Sequence, residues 1–289
     1  MKSWAPISAL CCLMPLGGCG AGSLITSLSS TPDLSGNWEI ASTSLPISGS
    51  VPTAGLLLIG SLTSQGSRVT GIFRLANLSL PNGCGTPLQQ VVTVSGAIDS
   101  NRSLALVSAP FSGSTLTMNF SVPPTLVVVG AGSTLTGVTG TAVITGSTCT
   151  FTSTTAFGAE FVSLSGTYAG TLTAATFAGS PSVPSGAASL VLSQATAPQS
   201  DGQFPVTGTL SITSGACTTS TPLAGTVSGP QLALASTASS NFGVPNSNLV
   251  AIINAATGQL DVASFVESVG PCNTGVLTVE DFSGNLTKQ

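Results

Sequence analysis

The chain has 289 residues, of which 44 are serine, 38 threonine and 34 glycine, while 5% are charged and none is histidine. Serine–histidine–acid catalysis and imidazole metal sites are therefore excluded. The internal cations are Arg68, Arg74 and Arg102, too few to bind nucleic acid phosphates in a chain with nine carboxylates. We expect no catalytic residue, no metal site, no cofactor and no nucleic acid partner.

The N-terminal segment has the features of a secretory signal. Lys2 supplies a positive charge, and the apolar stretch 5–16 is too short to span a membrane as a helix. It ends in Leu16-Gly17-Gly18-Cys19, which resembles the lipobox of bacterial lipoproteins. The resemblance implies a signal peptide over 1–18 and lipid on Cys19. Because Gly20 follows instead of Asp, it also implies an outer-membrane location, on the periplasmic face or at the cell surface. Residues 19–33 are predicted to be a flexible lipidated tether.

The rest of the chain divides into two diverged copies, 34–162 and 163–289. The first opens Leu34-Ser35-Gly36-Asn37-Trp38 and the second opens Leu164-Ser165-Gly166-Thr167-Tyr168. Further landmarks recur in the same order: Val69-Thr70-Gly71 with Val206-Thr207-Gly208, Val94-Ser95-Gly96 with Val227-Ser228-Gly229, and Leu104-Ala105-Leu106 with Leu232-Ala233-Leu234. Each copy has the size of an ordinary domain, so the sequence predicts two β domains in tandem.

Four cysteines remain after the signal and the lipidated residue, two in each copy. They are Cys84 and Cys149 in the first copy and Cys217 and Cys272 in the second. Four cysteines allow three pairings, and the repeat favours Cys84 with Cys149 and Cys217 with Cys272. An oxidising periplasm or cell surface permits both disulfides. Metal binding by these thiols is the weaker interpretation, because no Cys-x-x-Cys pair is present.

Short runs rich in Val, Thr and Ile alternate with Gly, Pro, Ser and Asn, a pattern typical of an all-β chain. In the first copy, one face of a strand carries Val69, Phe73 and Leu75 and the other carries Arg68 and Arg74. About eight strands are predicted in that copy, near 36–44, 55–63, 68–76, 90–98, 103–109, 114–121, 134–145 and 149–157. Eight short sequential antiparallel strands in each copy favour up-and-down barrels.

The segment Gly36-Asn37-Trp38 resembles the Gly-x-Trp motif on the first strand of calycins, the lipocalins, avidins and their relatives. The resemblance implies that Trp38 plugs one end of a barrel and that Tyr168 does so in the second copy. The alternative for both residues is ordinary core packing. The alternative for the fold is a pair of immunoglobulin-like sandwiches, whose two sheets the cysteine spacing would suit.

Paired carboxylates are the one catalytic device that the composition leaves open. The candidates are Glu39, Asp99, Glu160, Asp201, Asp261, Glu267, Glu280 and Asp281. Asp261 and Glu267 share a predicted strand face but would lie about 20 Å apart on a straight strand. Glu280 and Asp281 are adjacent and point to opposite faces. We interpret all eight as solvated surface charge, and we expect that the protein is not an enzyme.

The sequence thus predicts a lipid-anchored, non-catalytic protein of the cell envelope that binds an uncharged or apolar ligand. Its expected partners are the membrane, through the lipid, and a small apolar ligand or a glycan. The alternative is a structural or adhesive surface protein that contacts glycan or another protein. A continuous cavity inside the barrels would favour ligand binding, and filled barrels would favour the alternative. A carbohydrate-active enzyme would require two carboxylates facing each other across a cleft.

Overall fold

The structure is a computed structural model that describes residues 31–43, 55–75, 90–124, 137–146, 150–175, 185–215, 217–237, 247–254, 257–269 and 278–289. The strands of the first copy are β1 Gly36–Thr43, β2 Gly55–Gln65, β3 Arg68–Leu75, β4 Val91–Ile98, β5 Ser103–Ser108, β6 Ser114–Ser121, β7 Val138–Gly146 and β8 Thr150–Phe161. Those of the second are β9 Gly166–Ala175, β10 Gly186–Gln194, β11 Phe204–Ser214, β12 Cys217–Ser228, β13 Gln231–Ser236, β14 Asn248–Ile253, β15 Leu260–Val269 and β16 Thr278–Lys288. Across these ranges, no helix has the length and apolar character needed to cross a membrane.

Each copy closes on itself as an eight-stranded antiparallel barrel, here called barrel 1 (β1–β8) and barrel 2 (β9–β16). In barrel 1, β1 pairs with β2 on one side and with β8 on the other. In barrel 2, β9 pairs with β10 and with β16. The predicted tandem barrels are confirmed. The sandwich alternative is wrong, because a sandwich would leave two open sheets in each copy.

Alternation of apolar and polar residues decides which side chains enter the barrels, because successive side chains point to opposite faces of a strand. In β3, Val69, Phe73 and Leu75 are at most 1% exposed, while Arg68 and Arg74 lie on the outer face. The same alternation in β6 buries Leu116, Met118 and Phe120. The predicted strand faces are therefore confirmed in these two strands.

One landmark of the proposed repeat is misaligned. Gly96 in β4 lies opposite Leu106 in β5. Leu234 is the equivalent of Leu106 in the second copy, and it lies opposite Gly225. The sequence match of Gly96 with Gly229 is therefore wrong, because Gly229 lies in the turn after β12. A Val-Ser-Gly string recurs readily in a chain this rich in the three residues, so the string by itself does not define strand register.

Large apolar side chains fill both barrels. Trp38 and Phe73 in barrel 1, and Tyr168 and Phe265 in barrel 2, are all 0% exposed. A side chain without exposed area has no water-sized space beside it, so the interiors around these residues are densely packed. This agrees with barrel geometry, since an interior formed by eight strands is just wide enough for side chains to fill.

Candidate functional site

Two hydrogen bonds, together called the clasp here, hold the residues just before the first strand of each barrel. In barrel 1, the Leu34 amide donates to the Ser64 hydroxyl at 3.0 Å, and the Ser64 amide donates to the Ser35 hydroxyl at 3.0 Å. Barrel 2 repeats both bonds at 2.8 Å and 3.0 Å with Leu164, Gln194 and Ser165. The same backbone arrangement thus recurs in both copies, although the side chain at its centre changes from serine to glutamine.

Trp38 and Tyr168, the two residues that the calycin resemblance singles out, lie on the first strand of each barrel beside the clasp. The Trp38 indole N–H donates to the Leu34 carbonyl at 2.8 Å. The Lys288 ammonium lies 5.8 Å from the centre of the Tyr168 ring and donates to the Ser163 carbonyl at 3.3 Å. Both aromatic side chains are fully buried among core residues, which is the environment expected for a packing role.

Opposite charges occupy the equivalent place in the two barrels. Glu160 and Lys288 each lie directly across from the buried aromatic residue of the first strand. Glu160 Oε1 lies 2.6 Å from where a Cβ on Gly36 would stand, and Lys288 Cε lies 2.8 Å from the corresponding point at Gly166. Gly166 also has a φ of +141°, a backbone conformation that favours glycine, whereas a Cβ at Gly36 would displace only the flexible end of the Glu160 side chain.

Two carboxylates are half-buried, and their pKa values reflect it. Burial, together with the negative charge of Asp33, raises the pKa of Glu160 to about 7. Burial also raises the pKa of Glu39. The pKa of Asp33 is lowered, mainly by the hydrogen bond from the Ser64 hydroxyl and then by the Ser35 amide. The expectation that all the acidic residues are solvated is thus wrong for Glu39 and Glu160, because folding places both within packed surfaces.

The buried carboxylates do not face each other. Glu160 lies across from Trp38 and shares its interior face, whereas Glu39, the next residue along β1, points to the outside. Three other carboxylates have local polar partners: Asp99 accepts from the Asn101 and Ser103 amides, Asp201 pairs with Arg74, and Asp281 accepts from the Ser264 hydroxyl. The side chains of Glu267 and Glu280 lie outside the described residues. Within the described residues, no three potential metal ligands form a group.

The two barrels meet at a junction in which turns of barrel 2 pack on the outer wall of barrel 1. The Asn37 amide group donates to the Gly229 carbonyl at 2.8 Å, and the Gly229 amide donates back to Asn37 Oδ1 at 2.7 Å. Asn37 is 2% exposed, so both bonds form away from water. Gly229, with φ of +52°, lies against the side chains of Ile59 and Glu39, and this contact accounts for the burial of Glu39.

The second contact of the junction comes from the β10–β11 connection, residues 195–203. Arg74 Nη2 lies 3.2 Å from Asp201 Oδ2. Turning the Gln203 amide by 180° lets it donate to Asp201 and accept from Arg74, both at 3.2 Å. Gly202, with φ of +83°, approaches so closely that a Cβ would collide with the Ile72 carbonyl oxygen. In barrel 1, the corresponding β2–β3 connection is only residues 66–67, so the docking loop is specific to barrel 2.

A groove on the outer wall of barrel 1, here called the bulge groove, lies where β1, β7 and β8 adjoin. It has a volume of about 570 Å³ and is lined mainly by Ala41, Thr139, Thr141, Thr154, Thr155 and Phe157. The register between β7 and β8 shifts here: Gly140 pairs with Ala156 but Ala142 pairs with Ser153. One residue of β7 therefore faces two of β8, which is a β-bulge.

A second groove, of about 480 Å³, crosses the outer wall from β2 to β5 and is bordered by Pro198 of barrel 2. Its lining includes the hydroxyl residues Ser61, Thr63, Thr70, Thr93 and Ser95. It lacks an aromatic residue, and no shift in strand register is recorded between β2 and β5. Of the two grooves, only the bulge groove combines hydroxyl groups with an aromatic ring.

Several predicted site residues lie outside the described residues. These are the lipidation residue Cys19 and the disulfide residues Cys84, Cys149 and Cys272, while Cys217 begins β12 but its side chain is not described. The lipid anchor and both disulfides therefore stay predictions. Sequence reasoning missed the junction and the bulge groove. The consecutive residues Thr154-Thr155 were the available signal for the groove, because they break the alternation of β8.

Replacing Glu160 with Gln tests the burial of this carboxylate. Because folding raises the pKa of Glu160 from its ordinary 4.5 to about 7, the ionised side chain destabilises the fold above pH 7, and the cost disappears below about pH 4.5. E160Q should therefore be more stable than the parent at pH 8, by about 1–2 kcal/mol after allowance for solvent screening. At pH 4 the two should be alike. Thermal unfolding at both pH values measures the difference, and an equal gain at pH 4 would contradict the assignment.

Replacing Asn37 with Ala tests the junction. The change leaves the Gly229 amide and carbonyl buried without partners, so it should lower the free energy of unfolding by about 1–3 kcal/mol. N119A is the matched control, because Asn119 is exposed on the outer wall of β6 and its loss should cost less than about 0.5 kcal/mol. Urea unfolding of the full chain measures both, and equal losses would mean that the junction contributes nothing specific.

Comparison with known proteins identifies no relative: no family model matches the chain, and no curated protein sequence matches it.

Proposed function

We propose that this chain is a lipid-anchored, non-catalytic protein of the cell envelope that acts by surface contact through the outer walls of its two barrels. The observation that carries the proposal is the dense packing of the interiors, where Trp38, Phe73, Tyr168 and Phe265 have no exposed area. A carrier that holds its ligand inside a barrel needs an open cavity. Filled barrels instead favour contact through the wall, the alternative that the sequence analysis left open.

The placement of the buried carboxylates supports a non-catalytic role. Glycosidases place two carboxyl groups across a cleft, about 5–10 Å apart. Glu39 and Glu160 point to opposite sides of the barrel 1 wall, so they cannot act on one bond. Glu39 is covered by the Gly229 turn of barrel 2, and Glu160 crosses the barrel end against Gly36. Structural constraints account for the position of each.

The chemistry of the outer walls favours an uncharged partner. Hydroxyl side chains make up about half of the lining of each groove. Among the described residues, the exposed large apolar side chains are all aliphatic: Val91, Val107, Val191, Val250 and Ile252. With so few charges the wall offers little electrostatic attraction, and contact with it depends on hydrogen bonds and apolar packing. A neutral glycan or another low-charge chain matches such a surface.

The anchor rests on the lipobox resemblance at Leu16-Gly17-Gly18-Cys19. The described chain begins at residue 31 and meets the barrel at Asp33, which accepts hydrogen bonds from Ser64 and Ser35. A tether from Cys19 would therefore reach barrel 1 at its clasp. Tethering at one end leaves the walls of both barrels available to a partner.

The anchor predicts that C19S abolishes acyl labelling and moves the protein from the membrane fraction to the soluble fraction, because the thiol that carries the lipid is gone. C11S is the matched control, since Cys11 lies in the segment expected to be cleaved, and it should behave like the parent. Metabolic labelling with a palmitate analogue followed by fractionation measures both. A C19S protein that still requires detergent for extraction would refute the lipoprotein assignment.

The contact function predicts that the purified full-length chain, kept in detergent, sediments with protein-free envelope polysaccharide and releases no reducing sugar from it. Sedimentation should persist at about 1 M salt, where screening shortens the Debye length to about 3 Å, because the contact is not ionic. Release of reducing ends with time would show catalysis instead. Failure to sediment, or loss of sedimentation in salt, would refute contact with a neutral glycan.

A further inference from the structure

We propose that the bulge groove of barrel 1 binds neutral sugar residues, with the ring of Phe157 as the stacking surface and the threonine hydroxyls beside it as hydrogen-bonding groups. This inference rests on the proposed function, because it names the place on the outer wall where the glycan would be held.

The bulge creates the groove by changing which residues of β8 face outwards. Phe151 and Ser153 point into the barrel, and strict alternation would place residues 155 and 157 inside as well. The extra residue opposite Thr141 reverses this parity, so that Ala156 is buried while Thr154 and Thr155 are both exposed. Phe157 is thereby placed on the outer face. Bulges are often found beside binding sites because they redirect side chains in this way.

A buried serine fixes the shape of the bulge. The Ser153 side chain is 0% exposed. Its hydroxyl donates to the Thr155 carbonyl at 2.7 Å, and it also accepts from the Thr155 amide at 3.3 Å. The amide and the carbonyl of Thr155, at the bulge, are thus hydrogen-bonded from inside the barrel. The outer hydroxyls are held on a rigid wall, which lowers the entropy cost of binding a ligand.

Phe157 has the neighbours that a stacking surface needs. It lies directly opposite Ala41 in β1 and Thr139 in β7, and both are small, so neither covers the ring from across the strands. The side chain is half-buried, which fixes its position and leaves part of the ring accessible. The C–H groups of a sugar ring pack on an aromatic face through dispersion, and their weakly positive hydrogens are attracted to the negative face of the ring.

The rest of the lining is uncharged and combines threonines with small residues. Thr139, Thr141 and Thr154 contribute hydroxyl groups, each of which both donates and accepts. None of the described residues that line the groove is ionisable, and its volume of about 570 Å³ is within the range for small-ligand sites, about 300–1,000 Å³. Apolar C–H faces bordered by hydroxyl groups are the chemistry of a neutral sugar.

Barrel 2 does not repeat this arrangement. It also has a bulge between its last two strands, but there the extra residue is in β15, between Val262 and Phe265. Asn285 of β16 lies opposite Asp261 in β15 and Thr171 in β9. It therefore occupies the position that Phe157 has in barrel 1. An amide beside a carboxylate offers no stacking surface, so we assign sugar binding to barrel 1 alone.

Calorimetric titration of the full-length chain in detergent with maltohexaose, cellohexaose and chitohexaose tests the inference. At least one of these neutral oligosaccharides should bind. F157A removes the stacking surface and T141R fills the groove, so each should weaken that binding about tenfold or more, which corresponds to about 1.4 kcal/mol. F157Y keeps the ring and should stay within about threefold of the parent, or about 0.7 kcal/mol. T70R introduces the same bulk and charge as T141R, but into the second groove, and should bind like the parent.

Thermal unfolding of every variant checks that the barrels stay folded, and F157Y supplies a folded comparison if F157A does not fold. Absence of binding by all three oligosaccharides overturns the inference, as does equal binding by T141R and T70R.

Sedimentation with envelope polysaccharide separates the two proposals. If the parent and T141R both sediment but T141R loses nothing in titration, the groove assignment fails and the contact function stands. If the parent does not sediment, the contact function fails.

Discussion

Closure of each sheet by its first and last strands is the constraint on which the rest of the molecule depends. Backbone pairing of β1 with β8 and of β9 with β16 leaves neither sheet with an open edge. Proteins commonly protect open edges with charged residues, above all lysine, and this chain has five Lys and Arg in 289 residues. Closure removes the edges outright, so a chain rich in Val, Thr and Ser can remain almost uncharged without exposing strands for further pairing.

Once closed, the barrels divide the chemistry of the chain into two parts. The inner faces hold the aromatic and aliphatic side chains and are densely packed, so the interior serves stability. The outer faces of the described strands carry many of the hydroxyl groups, together with a few exposed aliphatic side chains. The β-bulge in β8 is the point where the two parts meet, because it brings an aromatic residue, Phe157, to the outside while Ser153 stabilises the irregular backbone from within. The same change of parity turns Glu160 inwards, across from Trp38.

The junction makes the two barrels depend on each other more than a simple tandem arrangement would. Asn37 of barrel 1 satisfies both backbone groups of Gly229 in barrel 2, and the 195–203 connection places Asp201 against Arg74. Separating the barrels would expose these buried polar groups, together with Ile59, which is only 7% exposed. We expect isolated barrels to be less stable than the pair, although each has its own core.

Local sequence patterns were sufficient to predict the all-β class, the two copies, the eight strands of the first copy and the inward faces of strands such as β3, because alternation is a property of neighbouring residues. Register, bulge position and the contact between barrels depend on residues far apart in the chain, and only the tertiary structure decided them. Glu160 was expected to be solvated because its neighbours in sequence do not show that it crosses a barrel end. Gly229 was matched with Gly96 because strings of residues do not report strand pairing. Phe157 shows the difference most clearly. The sequence predicted that it lies in a strand, but its side chain points outwards because β8 has one residue more than β7 at the bulge. That extra residue is visible only once the two strands are paired.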